Sequence, residues 1–214
     1  MNNIIKVVKL DILLINRYIT NIIYTCIITS LLTISSKSLI ASAIATMTLL
    51  AIRATTLIFQ SEEKENFLNF YTFAPIKKSN LVIGRYLFLI LFGLGICVIS
   101  LLIQTGILKC MGISINIFNY LTAFVLGSSI YIISISLQIP GIYKYGYING
   151  SLYTYIPLLI YLIINYLTGS LNIINIRTVS FILNNQLLVY KILSIFSIIL
   201  ISISLTISIK IKKK

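Results

Sequence analysis

"FQSEEKENFLNFYTFAPIKKSNLVIGRYL", Phe59–Leu87, separates two long apolar runs and carries Glu62, Glu63 and Glu65, three of the 4 acidic residues in the chain. The run before it, Leu39–Gln60, holds one charge, Arg53, and the run after it, Leu81–Leu108, holds Arg85 alone. Each run reaches the roughly 20 residues that a helix needs to cross a bilayer. A short charged loop between two such runs makes the chain an integral membrane protein.

Working outward, four further runs have the same character: Tyr18–Ile34, Tyr120–Ile139, Leu152–Thr168 and Ile192–Ile209. The whole chain of 214 residues is 58% hydrophobic and 10% charged, with mean hydropathy +1.03. Water-soluble domains are about 25% charged, so a soluble globular domain is excluded. "ISISLTISIK" and "IISISLQI" alternate with period two, a strand signal. Barrel strands, however, are segments of about 10 residues with polar lumen faces, and these runs continue twice as far without turn residues. Ser and Thr can bond their own helical carbonyls in lipid. The expected fold is all-α, with six transmembrane helices over 18–34, 39–60, 81–108, 120–139, 152–168 and 192–209 in one transmembrane domain, 1–214.

Seventeen Lys and Arg residues face 4 acids, a net charge of +13. In a soluble chain that excess would point to nucleic acid; here the cations flank apolar runs, and no nucleic-acid partner is expected. Twelve of the 17 lie at the two termini and in the loops of one side, four lie opposite, and Arg53 lies inside a run. The excess of cations in cytoplasmic loops then places both termini in the cytoplasm of a multi-pass protein.

Composition also removes chemistry. With no histidine, His triads and His metal sites are excluded. Cys26, Cys97 and Cys110 form no C-x-x-C, so no metal or disulfide framework is expected. No phosphate-binding glycine loop is present. The chain is expected to be no enzyme, with no catalytic residue, cofactor or metal of its own.

Met1–Arg17 is amphipathic and lacks a cleavage site of small residues. Asn2, Lys6, Lys9, Asn16 and Arg17 fall on one helical face, and Ile4, Val8, Ile12 and Ile15 on the other. Such a segment lies along the membrane interface as a helix over 1–17, its basic face toward anionic lipid. Asp11 points with the apolar residues. A carboxylate there is costly unless paired, and Arg53 or Arg85 is the expected partner.

In the central loop, Ser61 reads as an N-cap with Glu62 and Glu63 in the first turn of a short helix over 61–75. Phe67, Leu68, Phe70, Tyr71 and Phe73 make its apolar stripe, and Pro75 stops it. That helix either packs its aromatics on the spans or serves as a coupling helix that presses on a cytosolic motor. The order of acidic cluster, aromatic stripe, Pro75-Ile76, Lys77-Lys78 and Arg85-Tyr86 resembles the ABC-2-type permeases, the membrane subunits of bacterial ATP-binding-cassette exporters. Ala74, where that family often has leucine, departs from the pattern.

The resemblance implies a permease that pairs with a second permease chain, identical or paralogous, and docks a cytosolic ABC ATPase in the bacterial plasma membrane. ATP and Mg would be bound by that ATPase. Glu62, Glu63, Lys64, Glu65, Phe67, Phe70 and Tyr71 would form the ATPase-coupling surface. The short chain is similar to the compact branches that export peptides, bacteriocins or other amphipathic cargo. A non-transporting immunity or sensor protein that binds a peptide is the competing reading; it has no need of a docking helix.

Asp11, Arg53 and Arg85 are the candidate structural or gating charges. Arg53 either snorkels to the headgroups or faces the bundle. Ser38, Ala41, Ser42, Ala45 and Thr46, then Gly93 and Gly95, then Gly127 and Ser128, offer small faces for close helix packing. Pro140, Gly141, Gly146 and Gly150, set among tyrosines, predict a tight turn between the fourth and fifth spans. The outer segment 169–190 is either re-entrant or a surface loop.

Overall fold

The computed structural model describes residues 3–17, 19–64, 77–159, 161–162 and 186–213. Among these there is helix and no strand. The elements are α1 (Asn3–Arg17), α2 (Ile19–Ser36), α3 (Leu39–Lys64), α4 (Lys78–Cys110), α5 (Ile117–Thr154) and α6 (Gln186–Lys213).

Among the described residues, four helical stretches are long and apolar enough to cross a membrane: Leu39–Glu63, Lys78–Cys110, Ile117–Leu159 and Tyr190–Lys212. Ile23–Ser36 is a shorter apolar helix. The second half of the expected fifth span, the outer segment up to residue 185 and residues 65–76 of the central loop lie outside the described residues.

Lipid offers no hydrogen bonds, so each polar group in these helices needs a protein partner. Most hydroxyls find one on their own helix. Thr33 donates to the Thr29 carbonyl, Thr46 to Ala43, Thr48 to Ala45 and Thr55 to Ala51. The strand-like alternation of α6 is resolved the same way: Ser194, Ser197, Ser202 and Thr206 each bond a carbonyl three or four residues back.

Ser204 and Ser208 of α6 do otherwise. Tyr86 Oη of α4 lies 2.6 Å from Ser204 Oγ and 2.9 Å from Ser208 Oγ. Ser204 Oγ also donates to the Ser136 carbonyl at 2.7 Å. That carbonyl stands four residues before Pro140, which has no N–H to give it. A proline inside α5 is therefore tolerated because a hydroxyl of α6 takes over the missing bond, joining three helices at one point.

The turn expected around Pro140–Gly150 narrows to one residue. Helix continues on both sides of Gly146, whose φ of 76° and ψ of 170° break it. Gln138 Nε2 reaches the Thr154 carbonyl at 2.8 Å, and Gly150 packs against Ile142 and the Gly141 carbonyl. The segment after Gly146 thus doubles back on the segment before it. Pro140 and Gly141 belong to the helix, and only Gly146 needs the left-handed conformation that glycine adopts without penalty.

The small faces are used unequally. Gly127 of α5 meets Ala43 and Met47 of α3, and Gly93 of α4 lies under the ring of Tyr131. Gly95 faces open space and Ala41 is exposed. At the far end, Gln104 of α4 sits between Ser42 and Thr46 of α3, at 3.2 and 3.5 Å.

Candidate functional site

The expected N-cap at Ser61 is not a helix start. α3 runs unbroken through it to Lys64, and Ser61 Oγ donates to the Leu57 carbonyl at 2.6 Å. Local sequence favoured a cap because Ser-Glu-Glu suits a helix N-terminus. Tertiary partners decide differently, because both glutamates find donors on other helices, Glu62 on α4 and Glu63 on α5.

Glu62 is 5% exposed. Its Oε2 accepts a hydrogen bond from Arg85 Nη1 of α4. Arg85 is fully buried, with Asp11 Oδ1 of α1 at 4.0 Å from its Nε. Its guanidinium also lies 5.0 Å from the ring centre of Phe59, within cation–π range. Phe59 in turn meets Tyr143 of α5 edge-to-face, centroids 5.3 Å apart. Lys212 of α6 places its ammonium 5.1 Å from the Tyr143 ring centre. One ion cluster thus gathers α1, α3, α4, α5 and α6 at the end of the bundle where α3 and α4 meet the central loop.

Asp11 is held there by the packing of α1. Val7, Asp11 and Ile15 form the buried stripe of that helix, and Val7 seats against Gly84 of α4 so closely that a Cβ there would lie 2.9 Å from Val7 Cβ. Ile12 and Leu13, by contrast, are exposed. The buried face of α1 is therefore rotated from the apolar face expected, and the helix is docked on α4 with the acid itself in the contact. Of the two expected partners for Asp11, Arg85 is the one in place; Arg53 is exposed and forms no ion pair among the described residues.

Glu63 does a different job. Its Oε2 accepts the Ile148 backbone N–H at 2.9 Å. Ile148 stands in the first turn after the Gly146 break, where helical N–H groups lack partners. Glu63 caps that turn from another helix, and its charge suits the positive helix start. Glu62 is buried against Arg85, whereas Glu63 is half-buried and its capping bond lies at the surface. Lys64 ends α3; Glu65, Phe67, Phe70 and Tyr71 lie outside the described residues.

Sequence reasoning found Asp11 and Arg85 but missed Phe59, Tyr143 and Lys212. Only their distance from each other in sequence hid them, since each is an ordinary aromatic or terminal basic residue. A second feature, a cavity of about 640 Å³, opens between α3 and α5, lined by Ile44, Thr48, Ile130, Ser134, Pro157 and Tyr161 among others.

Residues 6–213 match the family model described as ABC-2 family transporter protein. The chain belongs to the ABC-2 transporter family. Neither the curated proteins nor the solved structures yielded a match. An ABC-2 permease is a membrane transport component and not itself a catalyst, and the family association implies an ABC ATPase as partner. In this ABC-2 chain the ion cluster sits at the base of the loop that resembles the family pattern.

Burial pushes the Asp11 carboxyl up from 3.8 to about 6; Arg85 opposes that rise and Glu62 adds to it. The folded state therefore binds this proton more tightly than the unfolded chain. The stabilisation is complete below about pH 4 and is lost as pH rises to about 6. At roughly 1.4 kcal/mol per pH unit, the loss amounts to about 3 kcal/mol. Asp11→Asn, which mimics the protonated acid, is expected to flatten the stability profile between pH 4 and 6 and to equal or exceed the parent at pH 7. Thermal unfolding across a pH series in one detergent reads this, and an unchanged slope in the variant would refute it.

Proposed function

We propose that this chain is the transmembrane subunit of an ATP-driven exporter that moves a peptide or other amphipathic or hydrophobic cargo out of the cell or membrane. Support comes chiefly from the junction at the loop: α3 and α4, which the acidic loop connects, are tied through Arg85 and Glu62 to α1, α5 and α6. A push on the loop by a cytosolic ATPase would then reach five helices at once rather than bending one pair. Buried ion clusters suit this role because their partners exchange in discrete steps rather than deforming smoothly.

In this reading two permease chains pair in a bacterial plasma membrane with both termini in the cytoplasm. Each docks one ATPase, which binds ATP and Mg. The cavity beside Tyr161 has the apolar walls and scattered hydroxyls that suit an amphipathic cargo entering from the membrane. Glu65, Phe67, Phe70 and Tyr71 carry the contact with the ATPase, while Glu62 and Glu63 relay it inward.

The test is purification of the tagged full-length chain in mild detergent, followed by mass spectrometry and an ATPase assay. An ABC ATPase is expected to co-purify. Glu65→Lys is expected to weaken that recovery about tenfold, equivalent to ~1.4 kcal/mol, without altering the elution of the permease itself. Recovery of the chain alone, in conditions that keep membrane complexes intact, would overturn the exporter reading in favour of an immunity or sensor protein.

A further inference from the structure

A buried glutamate oxygen at the loop end of the bundle is left without a donor among the described residues. Asp11, Glu62 and Glu63 are gathered there with Arg85 and Lys212, and Lys78 stands within electrostatic range of Lys212. Beside them lies a cavity of about 170 Å³ lined by Phe59, Glu62, Glu63, Tyr143, Tyr147 and Lys212, with Gly146 at its edge. Glu62 gives one carboxylate oxygen to Arg85; the other, Oε1, is buried and has no hydrogen-bond donor among the described residues. Lys212 does not supply it. Its ammonium stands over the Tyr143 ring and is in ion-pair range of neither glutamate among the described residues.

We propose that this cavity is a binding site for a primary ammonium group, held between Glu62 Oε1 and the Glu63 carboxylate against the Tyr143 and Tyr147 rings. Three arguments select that chemistry. The unsatisfied carboxylate oxygen calls for an N–H donor, which a primary ammonium has in three directions and a quaternary one lacks. Aromatic faces attract cations, and an ammonium already rests on one of them, that of Lys212 on Tyr143. A singly charged ammonium meets less repulsion from the nearby Arg85 and Lys212 than a divalent metal would. Among the described residues no group of acids is arranged as a metal site.

The ammonium comes either from a small free amine or from an aminophospholipid headgroup. The site rests on its own geometry and stands whether or not the chain exports anything. Lys212 is a resident competitor for it, so its loss strengthens binding instead of weakening it.

The test uses the full-length chain in an amine-free detergent buffer, with thermal unfolding followed against methylammonium chloride, tetramethylammonium chloride and sodium chloride at equal ionic strength. Methylammonium is expected to raise the midpoint saturably, and the other two salts are not. Lys212→Gln is expected to lower the half-saturating methylammonium concentration about tenfold, and Glu63→Gln to raise it about tenfold, from one charge gained or lost beside the ligand. A purely structural Lys212 would lower stability and leave half-saturation where it was. In nanodiscs, stabilisation by phosphatidylethanolamine over phosphatidylcholine, with no further gain from methylammonium, assigns the headgroup; equal behaviour in both lipids with a methylammonium gain assigns the free amine. No saturable response in either setting, an equal response to tetramethylammonium, or unchanged half-saturation in both variants overturns the site.

Discussion

Arg85→Met is expected to remove most of the folded protein from detergent extracts, and Glu62→Gln added to it is expected to bring the protein back. The guanidinium is fully buried and is the common partner of Glu62 and Asp11. Without it two carboxylates remain in an apolar interior, facing each other with no cation between them. Removing one partner of a buried pair typically costs about 3–5 kcal/mol, chiefly through the charge left behind. That is a large share of the ~5–15 kcal/mol by which folded domains are stable. Neutralising Glu62 removes one of the two stranded charges, and Asp11, whose carboxyl burial already pushes up to about 6, takes up a proton in place of its lost cation. Arg53→Met is the control. Arg53 is exposed and unpaired among the described residues, so its loss is expected to shift stability by no more than about 0.5 kcal/mol. Size-exclusion recovery and unfolding midpoints of the three variants check this; equal losses at Arg85 and Arg53 would refute the central role of the cluster.

The second and third apolar runs were legible because hydropathy in a membrane chain is set by the solvent, which acts on each residue independently. The runs 39–60 and 81–108 fall inside α3 and α4. Helix ends were less so. α3 passes the hydropathy limit at Gln60 and continues to Lys64 because Glu62 and Glu63 have partners on α4 and α5, and no window along the sequence contains those partners. The same limit hid the role of Ser204. Its neighbours in "ISISLTISIK" bond their own carbonyls, and only the place of Pro140 in space tells that Ser204 must serve another helix. The pairing of Asp11 was legible as a demand for a cation, since burial of an acid on an apolar face admits few solutions. Which arginine met it depended on how α1 turns when Val7 docks on Gly84.

Two glycines two residues apart on α4 make the sharpest test of the packing. Gly93→Ala is expected to destabilise by about 3 kcal/mol or more, while Gly95→Ala is expected to be neutral or slightly stabilising. At Gly93 an added Cβ would sit inside the ring of Tyr131, whereas at Gly95 it would meet nothing within 4 Å. The Tyr131 ring is not free to give way. It is 1% exposed, and its hydroxyl donates to the Leu89 carbonyl at 2.9 Å. Moving it forfeits that bond, leaves a hydroxyl without a partner in an apolar interior at ~1–3 kcal/mol, and overpacks the α4–α5 contact at a similar cost. Gly95 lies on the outer surface of α4, so alanine there only gains helix propensity, up to about 1 kcal/mol. Tyr131→Leu supplies the decisive control. It is destabilising alone, but it opens the space the methyl group needs, so Gly93→Ala in that background should cost less than about 1 kcal/mol. The non-additivity, read from unfolding of the four proteins of the cycle in one detergent, measures the contact itself; additive costs would mean that the ring and the glycine do not meet.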